Sequence, residues 1–228
     1  MKWSAFFTSS IGKKFVMALT GLFLISFLVV HVGLNACMWA NDKGSMFNRA
    51  AHFMGSSLVV RLMEVVLFLG IILHAIQGWV LEVQNRRTRR QGYAVTLGNR
   101  GSKWYSRSMG LLGTLLFFFL VMHISHFWVP SRITHDLQQV TYRQVTMHNL
   151  YIRMVEVFQD PVVVILYVLG CISLAYHLLH GFKSAFRTLG VHNSRYFNII
   201  KATGYGFSII VSLAFAMMPV SMYLGWVK

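Results

Sequence analysis

Four histidines, His31, His74, His123 and His177, each sit near the far end of a different long apolar run. Ionisable side chains are costly in a hydrocarbon core, and where they occur they usually serve a function. At ~1.5 Å of helical rise per residue, His31 lies roughly 24 Å past Phe15 and His123 roughly 21 Å past Met109. His74 lies roughly 24 Å past Leu58, and His177 roughly 22 Å past Val162. Consecutive membrane helices run in opposite directions, so these depths pair His31 with His123 near one face and His74 with His177 near the other. A neutral imidazole is a good axial ligand for haem iron, and two of them close the coordination sphere in the manner of an electron-transfer centre. Zinc takes three or four protein ligands, while each level here offers two deep histidines. A di-iron carboxylate bundle needs Glu-x-x-His motifs, which the sequence lacks. The four histidines therefore predict two haem b sites.

The elements that must position them are legible in the hydropathy. The 228 residues are 56% hydrophobic, with few charges, and those charges cluster between apolar runs. The runs fall at 15–39, 58–83, 109–129, 162–186 and 202–226. Each is long enough to cross a hydrocarbon core about 30 Å thick. The expectation is an all-α bundle of five transmembrane helices forming a single domain over residues 1–228. Lys13 and Lys14 precede the first run as they would in a secretory signal, but the run continues to Trp39 with no small-residue cleavage site and carries His31, so a retained helix is expected. The segment 130–161 is long, mixes apolar and polar residues, and is expected to place some helix over one end of the bundle.

The net charge of +15 is distributed by side. With the N-terminus on side one and alternating spans, fourteen basic residues and one acid, Glu82, fall there. Seven basic residues and five acids fall on side two. The positive-inside rule then puts the N-terminus in the cytoplasm and the C-terminus outside. The charge thus reports topology, with anionic lipid or a docked protein as partners on the basic face, and argues against nucleic-acid binding. Cys37 and Cys171 have neither CxxC nor CxxCH spacing, which argues against covalent haem attachment or iron–sulfur ligation by this chain; both are expected to be buried thiols.

Residue pattern leaves two ligand positions open. His126 and His180 each lie three residues from a favoured ligand, on roughly the same helix face. Depth disfavours His180 mildly and barely separates His123 from His126. His74 and His177 share the pattern His-x-x-x-Gly-aromatic, in which Gly78 and Gly181 sit one turn away on the same face, leaving room for a macrocycle or a neighbouring helix. His52, His135, His148 and His192 read as loop histidines. Phe117–Phe119 reads as lipid-facing or core.

Several stretches together resemble a known family: Asn48-Arg-Ala-Ala-His-Phe-Met54, Arg61-Leu-Met-Glu64, Leu73-His74-Ala75 with Gly78, Met122-His123-Ile124, and Tyr176-His177-Leu-Leu-His-Gly181. The chain resembles the membrane-anchor cytochrome b subunit of succinate dehydrogenases and fumarate reductases, in its single-chain, five-helix, two-haem form. The likeness covers essentially the whole chain. It implies that His31 and His123 ligate a distal haem near the outer face, and that His74 and His177 ligate a proximal haem near the soluble subunits. The family ligand precedes the glycine by four residues, which favours His177 over His180; the family text likewise favours His123 over His126. His180, Lys183 and Arg187 become candidates for the surroundings or propionates of the proximal haem. Where some di-haem fumarate reductases carry a glutamate used in transmembrane proton transfer, this chain has Ala175. Glu64 and Arg61 are the candidate quinone residues, although the two could simply pair with each other.

The resemblance implies a subunit of succinate:quinone oxidoreductase in a bacterial inner membrane, serving the tricarboxylic acid cycle or fumarate respiration. A cytoplasmic flavoprotein would carry the dicarboxylate chemistry, and an iron–sulfur subunit would exchange electrons with this chain. The substrate in the membrane would be a quinone, with menaquinone the expected kind. Alternatives are the cytochrome b anchor of a hydrogenase or formate dehydrogenase, and a haem-free transporter with polar interhelical histidines.

Overall fold

A computed structural model gives the structure and describes residues 9–88 and 103–227. Of the charges counted by side, Lys2, Arg89, Arg90, Arg100 and Lys228 lie outside the described residues. Five helical stretches are long and apolar enough to cross a membrane: Ser10–Ala40, Leu58–Arg87, Met109–Arg132, Pro161–Thr188 and Ser194–Tyr223. In chain order the principal elements are α1 (Ser10–Ala36), α2 (Ser45–Ser56), α3 (Leu58–Thr88), α4 (Met109–His123), β1 (Gln139–Tyr142), β2 (Val145–His148), α5 (Leu150–Val157), α6 (Pro161–Thr188) and α7 (Ser194–Tyr223).

Helix ends follow capping chemistry more closely than hydropathy. The Ser9 hydroxyl accepts from Gly12 N at 3.0 Å and starts α1. Asp160 accepts from Val162 N at 2.8 Å, with Pro161 in the first turn of α6. Asn193 accepts from Arg195 N at 3.0 Å, so α7 begins at Ser194 rather than at 202. Its first two turns carry Arg195 and Lys201, which depress the hydropathy there without breaking the helix. At the other end α7 stops at Tyr223, and Gly225 turns the chain at φ +67°.

The long 130–161 segment departs from the all-α expectation. Besides α5 it holds a two-stranded antiparallel hairpin, with Val140 opposite Met147 and Thr141 opposite Thr146. Valine, threonine and tyrosine suit the strands. The turn is made by Arg143 and Gln144, both in the left-handed region at φ +48° and +69°. That is the backbone of a type I′ turn, the kind whose twist matches a hairpin, built here without the usual asparagine or glycine.

The hairpin, α2 and α5 form a layer over one end of the bundle, called the hairpin end below. Its core brings together Met38 just after α1, Phe47 of α2, Tyr151 of α5, Val164 at the start of α6 and Met218 near the end of α7. The end of one span thus meets the beginning of another, as alternating helices require. Gly44 permits this packing: its φ is +78°, and a Cβ there would lie 2.1 Å from the Tyr151 ring. Asn48, fully buried, joins three segments. Its Nδ2 donates to Asn149 Oδ1 at 2.9 Å and to the Tyr142 hydroxyl at 3.4 Å, and its Oδ1 accepts from Tyr151 N at 2.9 Å.

Between the ends, α6 is central. A third of the most apolar window of α6 and of α7 is buried, against none in α3. Small residues set the closest approaches. A Cβ on Gly170 would lie 2.4 Å from the Phe119 ring, and one on Gly204 would lie 2.7 Å from Phe182. The outward face of α3 presents Leu62, Leu69, Ile76 and Trp79, an apolar surface suited to lipid.

Candidate functional site

The bundle brings the four histidines together in two pairs. His31 of α1 and His123 of α4 face each other near the hairpin end, with ring centroids 5.8 Å apart and planes at 90°. His74 of α3 and His177 of α6 face each other toward the opposite end, with centroids 6.2 Å apart and planes at 62°. Two imidazoles on one iron require a similar spacing. Two metal–nitrogen bonds of about 2 Å, plus ~1 Å from each nitrogen to its ring centre, put the centroids about 6 Å apart.

The Nδ1 atoms of the four rings differ in their surroundings. The Nδ1 atoms of His123 and His177 are buried and have no hydrogen-bond partner. His31 Nδ1 lies 3.3 Å from Asn35 Nδ2, which also donates to His31 O at 2.8 Å. His74 Nδ1 lies 3.1 Å from the Thr20 hydroxyl. Among the described residues, none of the four Nε2 atoms is engaged in a hydrogen bond. Nor, among the described residues, does any group of three or more His, Cys, Asp and Glu come together. Beside His177, a Cβ on Gly181 would meet nothing within 4 Å, so the helix face one turn along is open. Gly78 differs, because a Cβ there would lie 3.0 Å from Met17 Cε; it serves a contact with α1.

A π-helical turn over Ile124–Trp128 separates His126 from His123. Widened turns of this kind often mark functional sites. His126 turns to α6, where its ring stacks on Tyr167 at 5.9 Å and 6°, and its Nδ1 lies 3.1 Å from the Tyr167 hydroxyl. His123 turns to His31. Pro130 contributes to the disturbance, having no N–H to offer the carbonyl of His126 four residues back. Arg153 Nε, from α5, donates to that carbonyl at 3.0 Å instead.

Aromatic rings line the pair at the hairpin end. Phe27 stacks on His31 at 5.0 Å, and Phe119 stacks on His123 at 5.7 Å. Phe215 of α7 approaches His31 at 5.5 Å. Phe119 therefore belongs to the site, whereas Phe117 and Phe118 are exposed. Thr20, Asn35, Phe27, Phe119, Tyr167 and Phe215 carry no mark in the sequence as site residues; only their helical spacing from the histidines, read against a structure, selects them.

The remaining candidates are dispersed. Glu64 does not pair with Arg61, which is exposed. Its Oε1 accepts from Trp128 Nε1 and lies 3.7 Å from Arg132 Nε. Arg132 also reaches Gly55 O at 3.4 Å. The shift of partner follows from geometry, since the final turn of the third span lies against the start of α3 and presents both Trp128 and Arg132. His180 has a buried Nδ1 with no partner. Lys183 Nζ sits 5.9 Å from the centre of the Tyr105 ring, and Arg187 stacks over Phe197 at 4.8 Å. His52 lies on α2 and His148 on β2 rather than in loops, and His148 stacks with His135 at 6.1 Å. Cys171 is buried as expected. Cys37 is only half-buried, because it lies in the 3-10 turn past the end of α1.

No family model, no curated protein and no solved structure matches this chain.

Proposed function

We propose that this chain is the di-haem cytochrome b anchor of a succinate:quinone oxidoreductase, oriented with the basic, non-hairpin end in the cytoplasm. The observation that carries the proposal is the pairing of four imidazoles, each from a different span, at two levels with centroids 5.8 and 6.2 Å apart. Haem b supplies reversible one-electron transfer between its ferric and ferrous states.

The chain's own residues would hold and surround that chemistry. His31 and His123 would present Nε2 at the distal level, and His74 and His177 at the proximal level. Held by two protein imidazoles each, such groups would serve electron transfer rather than ligand activation. Phe27, Phe119 and Phe215 wall the distal pair with apolar surface and exclude water from it. Lys183 and Arg187, with His180, supply positive charge and hydrogen-bond capacity where propionates of the proximal haem would emerge. The same basic end would dock an iron–sulfur subunit that exchanges electrons with a flavoprotein acting on succinate or fumarate. At the hairpin end, Glu64, whose Oε1 meets Trp128 and Arg132, is the acid that would face a membrane quinone such as menaquinone. Arg61, exposed close by, is the second quinone candidate. The setting is a bacterial inner membrane.

The test is a reduced-minus-oxidised optical spectrum of the purified protein with a quantitative haem assay. Two b-type haems per chain are expected. A protein that carries no haem after expression with adequate haem supply overturns the proposal. Co-purification with a flavoprotein and an iron–sulfur protein distinguishes this anchor from that of another oxidoreductase.

A further inference from the structure

Among the four paired histidines, His74 alone has its Nδ1 against a hydroxyl. Thr20 Oγ1 lies 3.1 Å from His74 Nδ1 and also 2.8 Å from Val16 O, one turn back on α1. A hydroxyl has one proton to give and two lone pairs to receive with. The shorter contact, to the carbonyl, takes the proton, because a carbonyl oxygen can only accept. What remains for His74 is a lone pair, so Nδ1 must carry the hydrogen and donate. A neutral imidazole protonated at Nδ1 has its free lone pair at Nε2.

The backbone beside Thr20 is shaped to allow this approach. A Cβ on Gly21 would lie 3.4 Å from His74 Cε1, so the next residue along α1 holds the ring at van der Waals distance without pushing it away. The other three rings lack such a contact. His123 and His177 have buried Nδ1 atoms with no partner, and the group near His31 Nδ1 is the amide nitrogen of Asn35, itself a donor.

The geometry points to Thr20 as a positioning residue, which holds His74 in the tautomer whose Nε2 lone pair is free and which, through the hydrogen bond, makes this imidazole the more electron-donating ligand of its pair. The inference rests on the di-haem reading. A partner accepting the Nδ1 hydrogen raises ligand basicity. A more basic ligand favours ferric over ferrous iron, so Thr20 lowers the potential of the proximal haem.

The experiment compares wild type, Thr20→Val and Thr20→Ser in the complex as isolated from membranes, by haem content and by redox titration of both haems. The proximal haem is identified as the one absent from a His74→Ala variant. Thr20→Val keeps the shape and removes the hydroxyl. It is expected to raise the proximal potential by the equivalent of a tenfold change in the ferrous-to-ferric ratio, about 59 mV for one electron, while the distal potential stays put. Thr20→Ser is expected to match wild type. Loss of the proximal haem in Thr20→Val with full retention in Thr20→Ser also supports the role. Unchanged potentials in a fully loaded Thr20→Val overturn the inference and leave the di-haem reading intact, as does a Thr20→Ser that behaves like Thr20→Val. Absence of haem from the wild type removes both.

Discussion

The choice between His123 and His126 shows what a single side chain can decide. The two are three residues apart on the same apolar helix, and spacing barely separates them. The Tyr167 hydroxyl makes the difference: the ring lies near both imidazoles, 5.9 Å from His126 and 6.0 Å from His123, but the hydroxyl meets His126 Nδ1, while His123 faces His31. On the proposed di-haem reading, His123→Ala is expected to remove one haem and His126→Ala neither, read from haem content and the optical spectrum. Tyr167→Phe, which leaves the His126 contact without its hydroxyl, is expected to cost about 1 kcal/mol in thermal stability and to retain both haems. The histidines themselves are legible in the sequence because an imidazole deep in an apolar run is conspicuous. Thr20 and Asn35 are not, because threonine and asparagine within a span ordinarily bond back to their own helix. Both do so here, at Val16 O and His31 O, and nothing in the sequence shows a second bond to a ring.

Helices are more legible in the sequence than their ends and interruptions. Apolar runs locate all five spans, but α7 begins at Ser194 because Asn193 caps it, a signal that hydropathy dilutes with Arg195 and Lys201. The hairpin is not legible in the sequence because Arg143 and Gln144 are poor markers of a turn that needs two left-handed residues. The disturbance after His123 belongs to this scale too. Pro130 withholds an N–H from His126 O, and Arg153 of α5 supplies the replacement donor. Arg153→Met should therefore cost about 1 kcal/mol, the usual net worth of one hydrogen bond at a part-buried site. In a Pro130→Ala background, where a backbone N–H becomes available, the same substitution should cost less. Thermal unfolding of the four proteins in detergent closes that double-mutant cycle; an equal cost in both backgrounds would show that Arg153 acts otherwise.

At the scale of the whole molecule, charge asymmetry predicts orientation. An Asp136→Cys variant at the hairpin end should react with a membrane-impermeant maleimide in intact cells. Arg187→Cys at the other end should react only after lysis, with both variants made in a Cys37→Ser background. The reverse pattern would invert the proposed topology and with it the side on which soluble partners dock. The layer at the hairpin end also concentrates long-range bonding in one residue. Asn48→Ala removes three hydrogen bonds from a fully buried site and should cost about 2–3 kcal/mol, measured as a lowered melting temperature.

That residue also sets an order of events during synthesis. The groups that engage Asn48 lie 94, 101 and 103 residues further along the chain. When the first two spans enter the membrane, the carboxamide has none of these partners, and it acquires them only after the third span has delivered the hairpin and the start of α5 to the same side. Closure over the hairpin end is thus a late step of biogenesis. Until then the core that unites Met38, Phe47 and Tyr151 is incomplete, and the first two spans wait in the membrane for the chain that will cap them.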